Sequence, residues 1–124
     1  QVLVATGLWP MPEKTPLNAT VHGNIARDGY SIAKVFFRST PGHLVTGNLY
    51  RPTGGAAGVP RRHPAVLFAH GHWANGRLHE ATEQQANASV KEGGEPDITR
   101  GRFFMQAIPA TLARLGFVVF QYDM

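Results

Sequence analysis

The sequence has no cysteine, few serines and no long apolar run, and each shortage excludes a kind of chemistry. Without cysteine, the 124-residue chain forms neither a disulfide framework nor a thiolate site. Its longest apolar run falls far short of the roughly 18 residues that suggest a membrane-spanning helix, so no membrane partner is expected. Its serines are Ser31, Ser39 and Ser89, and none stands in a Gly-x-Ser-x-Gly motif.

The composition of the chain is typical of a single globular domain. The chain is 43% hydrophobic and 16% charged, with a formal net charge of +4. Its one basic cluster, Arg61-Arg62-His63, has no interleaved aromatic residues and no binding motif around it. We interpret this cluster as a solvated loop and expect no nucleic-acid partner. Because the first residue is Gln1 and not Met, we expect either that a leader was removed or that the sequence starts inside a longer chain.

The first half of the chain predicts an extended segment followed by an antiparallel meander. Residues 1–19 contain Pro10, Pro12 and Pro16, which favour an extended lead-in. Three segments of alternating hydrophobicity follow, with turn signals at Asp28-Gly29 and at Thr40-Pro41-Gly42. The segments read TVHGNIAR, YSIAKVFFRS and HLVTGNLYRP. Residues 52–63, rich in Gly and Pro, predict a loop.

The second half predicts a βαβ unit. PAVLFAH and FVVFQYD are continuous apolar runs, typical of parallel strands buried on both faces. Between them a helix is predicted from about Ile98 to Leu115, with Asp97 as its cap, Gly116 past its end and a kink or break at Pro109. A single helix cannot cover both faces of such a sheet. The βαβ unit predicts an α/β fold class. Because the helix cover is incomplete, residues 20–124 are expected to be the N-terminal part of one incomplete domain.

The stretch AVLFAHGHWANGR places His70-Gly71-His72-Trp73 at the carboxyl end of the first parallel strand. Ligands of open α/β sheets bind at that end of the strands. Gly71 permits a sharp turn and a close approach of a ligand to the backbone. A peptide N–H after such a turn suits the oxyanion of a tetrahedral intermediate, for which one donor contributes about 2.7–4 kcal/mol.

With the antiparallel lead-in, the apolar strand, His-Gly and LARLGFVVFQYDM in this order, the chain resembles the first half of an alpha/beta-hydrolase. GNLYRP and HGHWANGR are similar to the branch of secreted or periplasmic esterases that includes acetylxylan esterases and dienelactone hydrolases. The resemblance runs from about residue 15 to the end. It implies that the main-chain N–H of His72 is an oxyanion donor, and that the serine nucleophile and the rest of the triad lie outside these residues.

Several further expectations follow from the resemblance. The intact protein would be a carboxylic-ester hydrolase that needs no cofactor, with an acylated carbohydrate as a candidate substrate and a secreted or periplasmic location. The chain would have the C-terminal part of the same domain as its partner and would be inactive alone. Trp73 and Arg77 would contact substrate, whereas His70 and Gly71 would shape the loop.

Several other residues near the loop have structural interpretations that involve no catalysis. From the residues alone, Arg77, His79 and Glu80 are expected at the surface, and the alternative is that they line the acyl or sugar pocket. Asp123 is expected to be a structural turn residue. The polar stretch from Glu80 to Glu95 is expected to be an exposed and partly helical insertion, and the alternative is a flap that covers the site.

Two other functions remain open. His70 and His72 at a strand end, with His79-Glu80 nearby, fit a metal-dependent hydrolase. Alternatively, the Trp73 loop fits a non-catalytic module that binds a glycan.

Overall fold

The computed structural model describes residues 1–54 and 62–124 and contains one five-stranded mixed sheet. The strand order is β1-β2-β3-β5-β4, in which β4 and β5 are parallel and all other neighbours are antiparallel. The predicted meander, parallel pair and α/β class are confirmed. The strands are β1 Thr20–Arg27, β2 Tyr30–Thr40, β3 His43–Pro52, β4 Ala65–Ala69 and β5 Val118–Tyr122.

Four helices and one 3-10 turn accompany the sheet in the part of the chain that the structure describes. They are α1 Val2–Ala5, the 3-10 turn Gly76–Leu78, α2 Glu83–Lys91, α3 Ile98–Arg102 and α4 Phe104–Arg114. Helix α4 packs on β3 and β5. The core cluster consists of Ala110 and Ala113 of α4 together with Tyr30, Tyr50 and Val119 of the sheet.

The turn and cap residues take the conformations that their types favour. Gly29 and Gly42 have φ of 78° and 80° in the two hairpin turns, and Gly116 has φ of 98° after α4. The Asp97 carboxylate accepts a hydrogen bond from the Arg100 N–H at 2.9 Å, which caps α3. These four predictions are confirmed.

The lead-in differs from the prediction in its first residues. Val2–Ala5 forms one helical turn, whereas residues 11–19 contain neither helix nor strand. The extended prediction is therefore wrong for α1. The prolines begin only at Pro10, and the Thr6 hydroxyl donates to the Val2 carbonyl at 2.9 Å, so nothing opposes a helical turn there.

The predicted helix is divided, but not at Pro109. The break lies at Phe103, between α3 and α4, and Pro109 is buried inside α4. Proline at this position leaves the Met105 carbonyl without its usual helical donor. That carbonyl instead accepts a hydrogen bond from the Gln121 Nε2 of β5 at 2.8 Å. Because the lost bond is replaced from the neighbouring strand, α4 continues through the proline.

Strand β4 is buried on one face only, so the prediction that both of its faces are buried is wrong. Val66 and Phe68 pack against the core cluster, whereas Leu67 is 70% exposed. Within the described residues, β4 pairs only with β5 and therefore lies at the edge of the sheet.

Part of the predicted loop at 52–63 lies outside the described residues, which resume at Arg62. Arg61 of the basic cluster is among the residues not described, Arg62 is exposed, and the His63 Nδ1 lies 2.9 Å from the Gly116 carbonyl oxygen. Among residues 1–54 and 62–124, no helix has the length and apolar character required to cross a membrane.

Candidate functional site

The His70 ring contacts the start of the loop that follows β4 and the residues that follow β5. Its Nδ1 lies 2.8 Å from the Gly71 carbonyl oxygen, and the Met124 main-chain nitrogen lies 3.3 Å from its Nε2. Because the Met124 N–H can only donate, Nε2 accepts, and the proton on Nδ1 is donated to Gly71. A Cβ at Gly76 would lie 3.0 Å from the same ring. The anchoring role predicted for His70 requires this geometry, and it stays a prediction.

Gly71 is required by the close approach of an indole ring. The Trp73 N–H donates to the Gly71 carbonyl at 2.8 Å, which closes a tight turn around His72. A Cβ at Gly71 would lie only 2.6 Å from the Trp73 Nε1, far inside van der Waals contact. A side chain at residue 71 would therefore displace the indole from its position beside the strand end.

The His72 main-chain N–H makes no hydrogen bond in the part of the chain that the structure describes. His72 is exposed and borders a cavity of about 510 Å³ at the carboxyl end of β4. Asp123 and Met124, which follow β5, border the same cavity. Within the described residues, the Trp73 N–H is used inside this turn, whereas the His72 N–H makes no hydrogen bond.

Arg77 connects the loop to the end of β5. Its Nε donates to the Asp123 Oδ1 at 2.6 Å, and the Thr46 hydroxyl donates to the Asp123 Oδ2. The Asp123 N–H also donates to the Thr46 carbonyl at 2.8 Å. These contacts agree with a structural role for Asp123. The substrate-binding role of Arg77 stays a prediction, because its side chain is only 19% exposed and is paired with Asp123.

Trp73 belongs to an aromatic cluster that sequence reasoning missed. Its ring stacks on His79 with centroids 4.7 Å apart, and Phe104 of α4 meets it edge-on at 5.7 Å. The surface prediction is therefore wrong for His79, which is half-buried against the indole. Glu80 is exposed, as expected, and pairs with Arg102.

The segment between Glu80 and Glu95 is partly packed. Thr82 and Gln85 form a capping box at the start of α2, a signal visible in the sequence as Thr-x-x-Gln. Ala86 of α2 is fully buried, and a Cβ at Gly101 of α3 would lie 3.1 Å from its backbone. The prediction that the insertion is partly helical is confirmed by α2, but the predicted exposure is wrong where α2 packs closely on α3.

A second cavity, of about 290 Å³, lies between this segment and α4. Trp73, His79 and Phe104 form its aromatic wall, and Gln85, Ser89 and Glu95 supply polar groups. Trp73 borders both this cavity and the one that His72 borders.

Two buried polar side chains lie behind the loop, on the α4 face of the sheet. Gln121 is fully buried, and its Oε1 lies 3.5 Å from the hydroxyl of Tyr50, which is 1% exposed. Burial raises the pKa of Tyr50 above its usual 10.0, assisted by nearby Tyr30, while a hydrogen bond with Asn48 and the charge of Arg77 act in the opposite direction. Gln121 had one signal in the sequence, since Pro109 implies an unpaired carbonyl four residues earlier.

The described residues do not form a metal centre. No group of three or more His, Cys, Asp or Glu side chains within residues 1–54 and 62–124 is arranged to hold a metal ion. Both ring nitrogens of His70 contact main-chain groups, and His79 stacks on Trp73. This geometry does not favour the metal-dependent alternative.

Comparison with known proteins identifies a structural neighbour. No family model and no curated protein matches the sequence. Among solved structures, the chain is similar to methylesterase BT1017, with a TM-score of 0.55 and 22% sequence identity. The match covers 98% of this chain and 20% of the methylesterase, so the chain spans about a fifth of that protein's length. The likeness shows a shared fold with part of an esterase.

Proposed function

We propose that this chain supplies the oxyanion loop of a serine-dependent carboxylic-ester hydrolase of the alpha/beta-hydrolase superfamily. The observation that carries the proposal is that the His72 N–H makes no hydrogen bond among the described residues, while His72 borders a cavity at the carboxyl end of β4 and both ring nitrogens of His70 contact main-chain groups. The parallel pairing of β4 and β5 and the fold shared with part of a methylesterase support it.

In the proposed reaction, a serine outside these 124 residues attacks the ester carbonyl carbon. The carbonyl oxygen becomes an oxyanion and accepts a hydrogen bond from the His72 N–H. A histidine, also outside this chain, takes the serine proton and gives it to the departing alcohol. Water then attacks the acyl-enzyme, which releases the acid and restores the serine.

The proposed substrate is an ester carried on a carbohydrate. Trp73 offers a half-exposed aromatic surface beside the reacting group, and Arg77 lies at the opposite end of the loop. Because the structural neighbour is named a methylesterase, methyl esters are suitable first probes together with acetyl esters. The proposed chemistry needs no cofactor. The C-terminal part of the domain and a secreted or periplasmic location belong to the same proposal.

The test uses the full-length protein and a serine-directed fluorophosphonate. We expect the reagent to abolish hydrolysis of p-nitrophenyl acetate and to label one serine outside residues 1–124. The 124-residue chain alone serves as the control and should be neither active nor labelled. Activity that survives the reagent but is lost on metal chelation would contradict the proposal and favour a metal-dependent hydrolase. Glycan binding without any hydrolysis would favour the binding module.

A further inference from the structure

The cavity between α2 and α4 has the lining expected for a ring that is apolar on one face and polar at its edge. One wall is aromatic and consists of Trp73, His79 and Phe104. The cavity measures about 290 Å³, at the lower limit of the roughly 300–1,000 Å³ typical of ligand sites. Its size therefore suits a single ring.

Two polar side chains of the cavity, Gln85 and Glu95, are held in place by the surrounding structure. The Gln85 Oε1 accepts a hydrogen bond from the Thr82 N–H at 2.9 Å, which leaves the amide Nε2 as the donor toward a ligand. The Glu95 Oε2 accepts from the Arg100 Nε at 3.1 Å, and this ion pair balances the charge of the carboxylate. Such fixed polar groups, without net charge, suit the hydroxyl groups of an uncharged ligand.

The position of the cavity connects it to the proposed chemistry. Trp73 borders both this cavity and the one beside the His72 N–H. A ring placed against the indole would therefore present a substituent toward the oxyanion loop. The α2 segment would then be one wall of a substrate subsite.

We propose that this cavity binds one uncharged pyranose ring of the ester substrate, with the apolar face of the ring against Trp73 and its hydroxyl groups toward Gln85, Ser89 and Glu95. The assignment of the ring as part of the substrate rests on the proposed esterase function. The binding of the ring is a separate property and is measured without turnover.

The test is an NMR titration of the full-length protein with methyl β-D-xylopyranoside, observed at the indole N–H signals. These signals are assigned with Trp73→Phe and Trp9→Phe. Trp9 is the matched control, since it is 66% exposed and does not line the cavity. We expect the glycoside to shift the Trp73 signal and leave the Trp9 signal unchanged. Loss of the indole in Trp73→Phe should weaken binding about 10-fold, equivalent to about 1.4 kcal/mol, whereas Trp9→Phe should bind normally.

The unmutated protein decides the question even if Trp73→Phe disturbs the loop. No shift of the Trp73 signal at saturating glycoside would overturn the inference. A shift produced by cyclohexanol but not by the glycoside would also overturn it, because the cavity would then accept an apolar group.

Hydrolysis of methyl acetate, which has no ring, separates the two proposals. Hydrolysis without glycoside binding would reject the ring site and retain the esterase. Binding at Trp73 without hydrolysis of any ester would reject the esterase and retain a ring-binding cavity.

Discussion

Gln121 donates a hydrogen bond across the core to the Met105 carbonyl, at 2.8 Å from its Nε2. The contact joins β5 to α4 where Pro109 has no N–H to offer. Gln121 is 0% exposed, and an unpaired buried carbonyl costs about 1–3 kcal/mol. The hydrogen bond therefore explains both a proline inside a helix and an amide side chain inside the core.

This relationship predicts non-additive effects on stability. Gln121→Leu should lower the free energy of unfolding by about 1–3 kcal/mol, because the Met105 carbonyl loses its donor. In a Pro109→Ala background, the main-chain N–H regained at position 109 can supply that hydrogen bond, so the same substitution should cost about 1 kcal/mol less. Urea denaturation of the four proteins measures the coupling. Equal costs in both backgrounds would show that the Gln121 bond does not replace the one lost at Pro109.

The raised pKa of Tyr50 predicts that the free energy of unfolding falls at alkaline pH. Its pKa is raised above 10.0, chiefly by burial, so the folded state favours the protonated phenol. The resulting stabilisation is complete below about pH 10, the unfolded value, and is lost as pH rises through the folded pKa. Denaturation at about pH 8 and above pH 10, with tyrosinate absorbance recorded in parallel, should show a smaller alkaline loss in Tyr50→Phe than in the unmutated protein. An identical loss in both proteins would rule out Tyr50 as the cause.

The close contact between Gly71 and Trp73 predicts that a side chain at residue 71 lowers stability and that a smaller ring at residue 73 restores it. Gly71→Ala places a Cβ about 2.6 Å from the indole nitrogen, so the ring must leave its stack on His79. We expect a loss of about 1–3 kcal/mol, the usual cost of overpacking, and a changed near-ultraviolet dichroism signal. Trp73→Phe removes the clashing atom and should recover most of that loss in the double variant. Failure of the rescue would mean that residue 71 requires glycine for its backbone and not for the indole.

Local pattern predicted most of the fold. Alternating hydrophobicity and the Gly29 and Gly42 turns are properties of neighbouring residues, and the three meander strands follow from them. The continuity of α4 through Pro109 was not predictable in this way, because it depends on Gln121 in another strand. The exposure of Leu67 likewise depends on which strands and helices flank β4, which an apolar run by itself does not specify.

Likewise, one part of the candidate site could be predicted from the order of the sequence, and another part could not because it depends on contacts between distant residues. The position of His72 after a parallel strand follows from the sequence order of strand, His-Gly and helix. The stacking of Trp73 on His79 and Phe104 depends on how the loop folds against α4, and sequence periodicity carries no signal for that contact.

The central claim is that the His72 main-chain N–H stabilises an oxyanion, and replacing that one N–H tests it most directly. Two forms of the full-length protein are compared: His72→Ala, and the same variant with an ester oxygen in place of the N–H at position 72. The imidazole is absent from both, so they differ only at the linkage between residues 71 and 72, where the ester removes the N–H and also weakens the Gly71 carbonyl as an acceptor for Trp73 and His70. The account predicts that the ester form has a kcat about 10²–10³-fold lower, the usual cost of losing one oxyanion donor. Equal kcat values in the two forms, with both folded by circular dichroism, would contradict it.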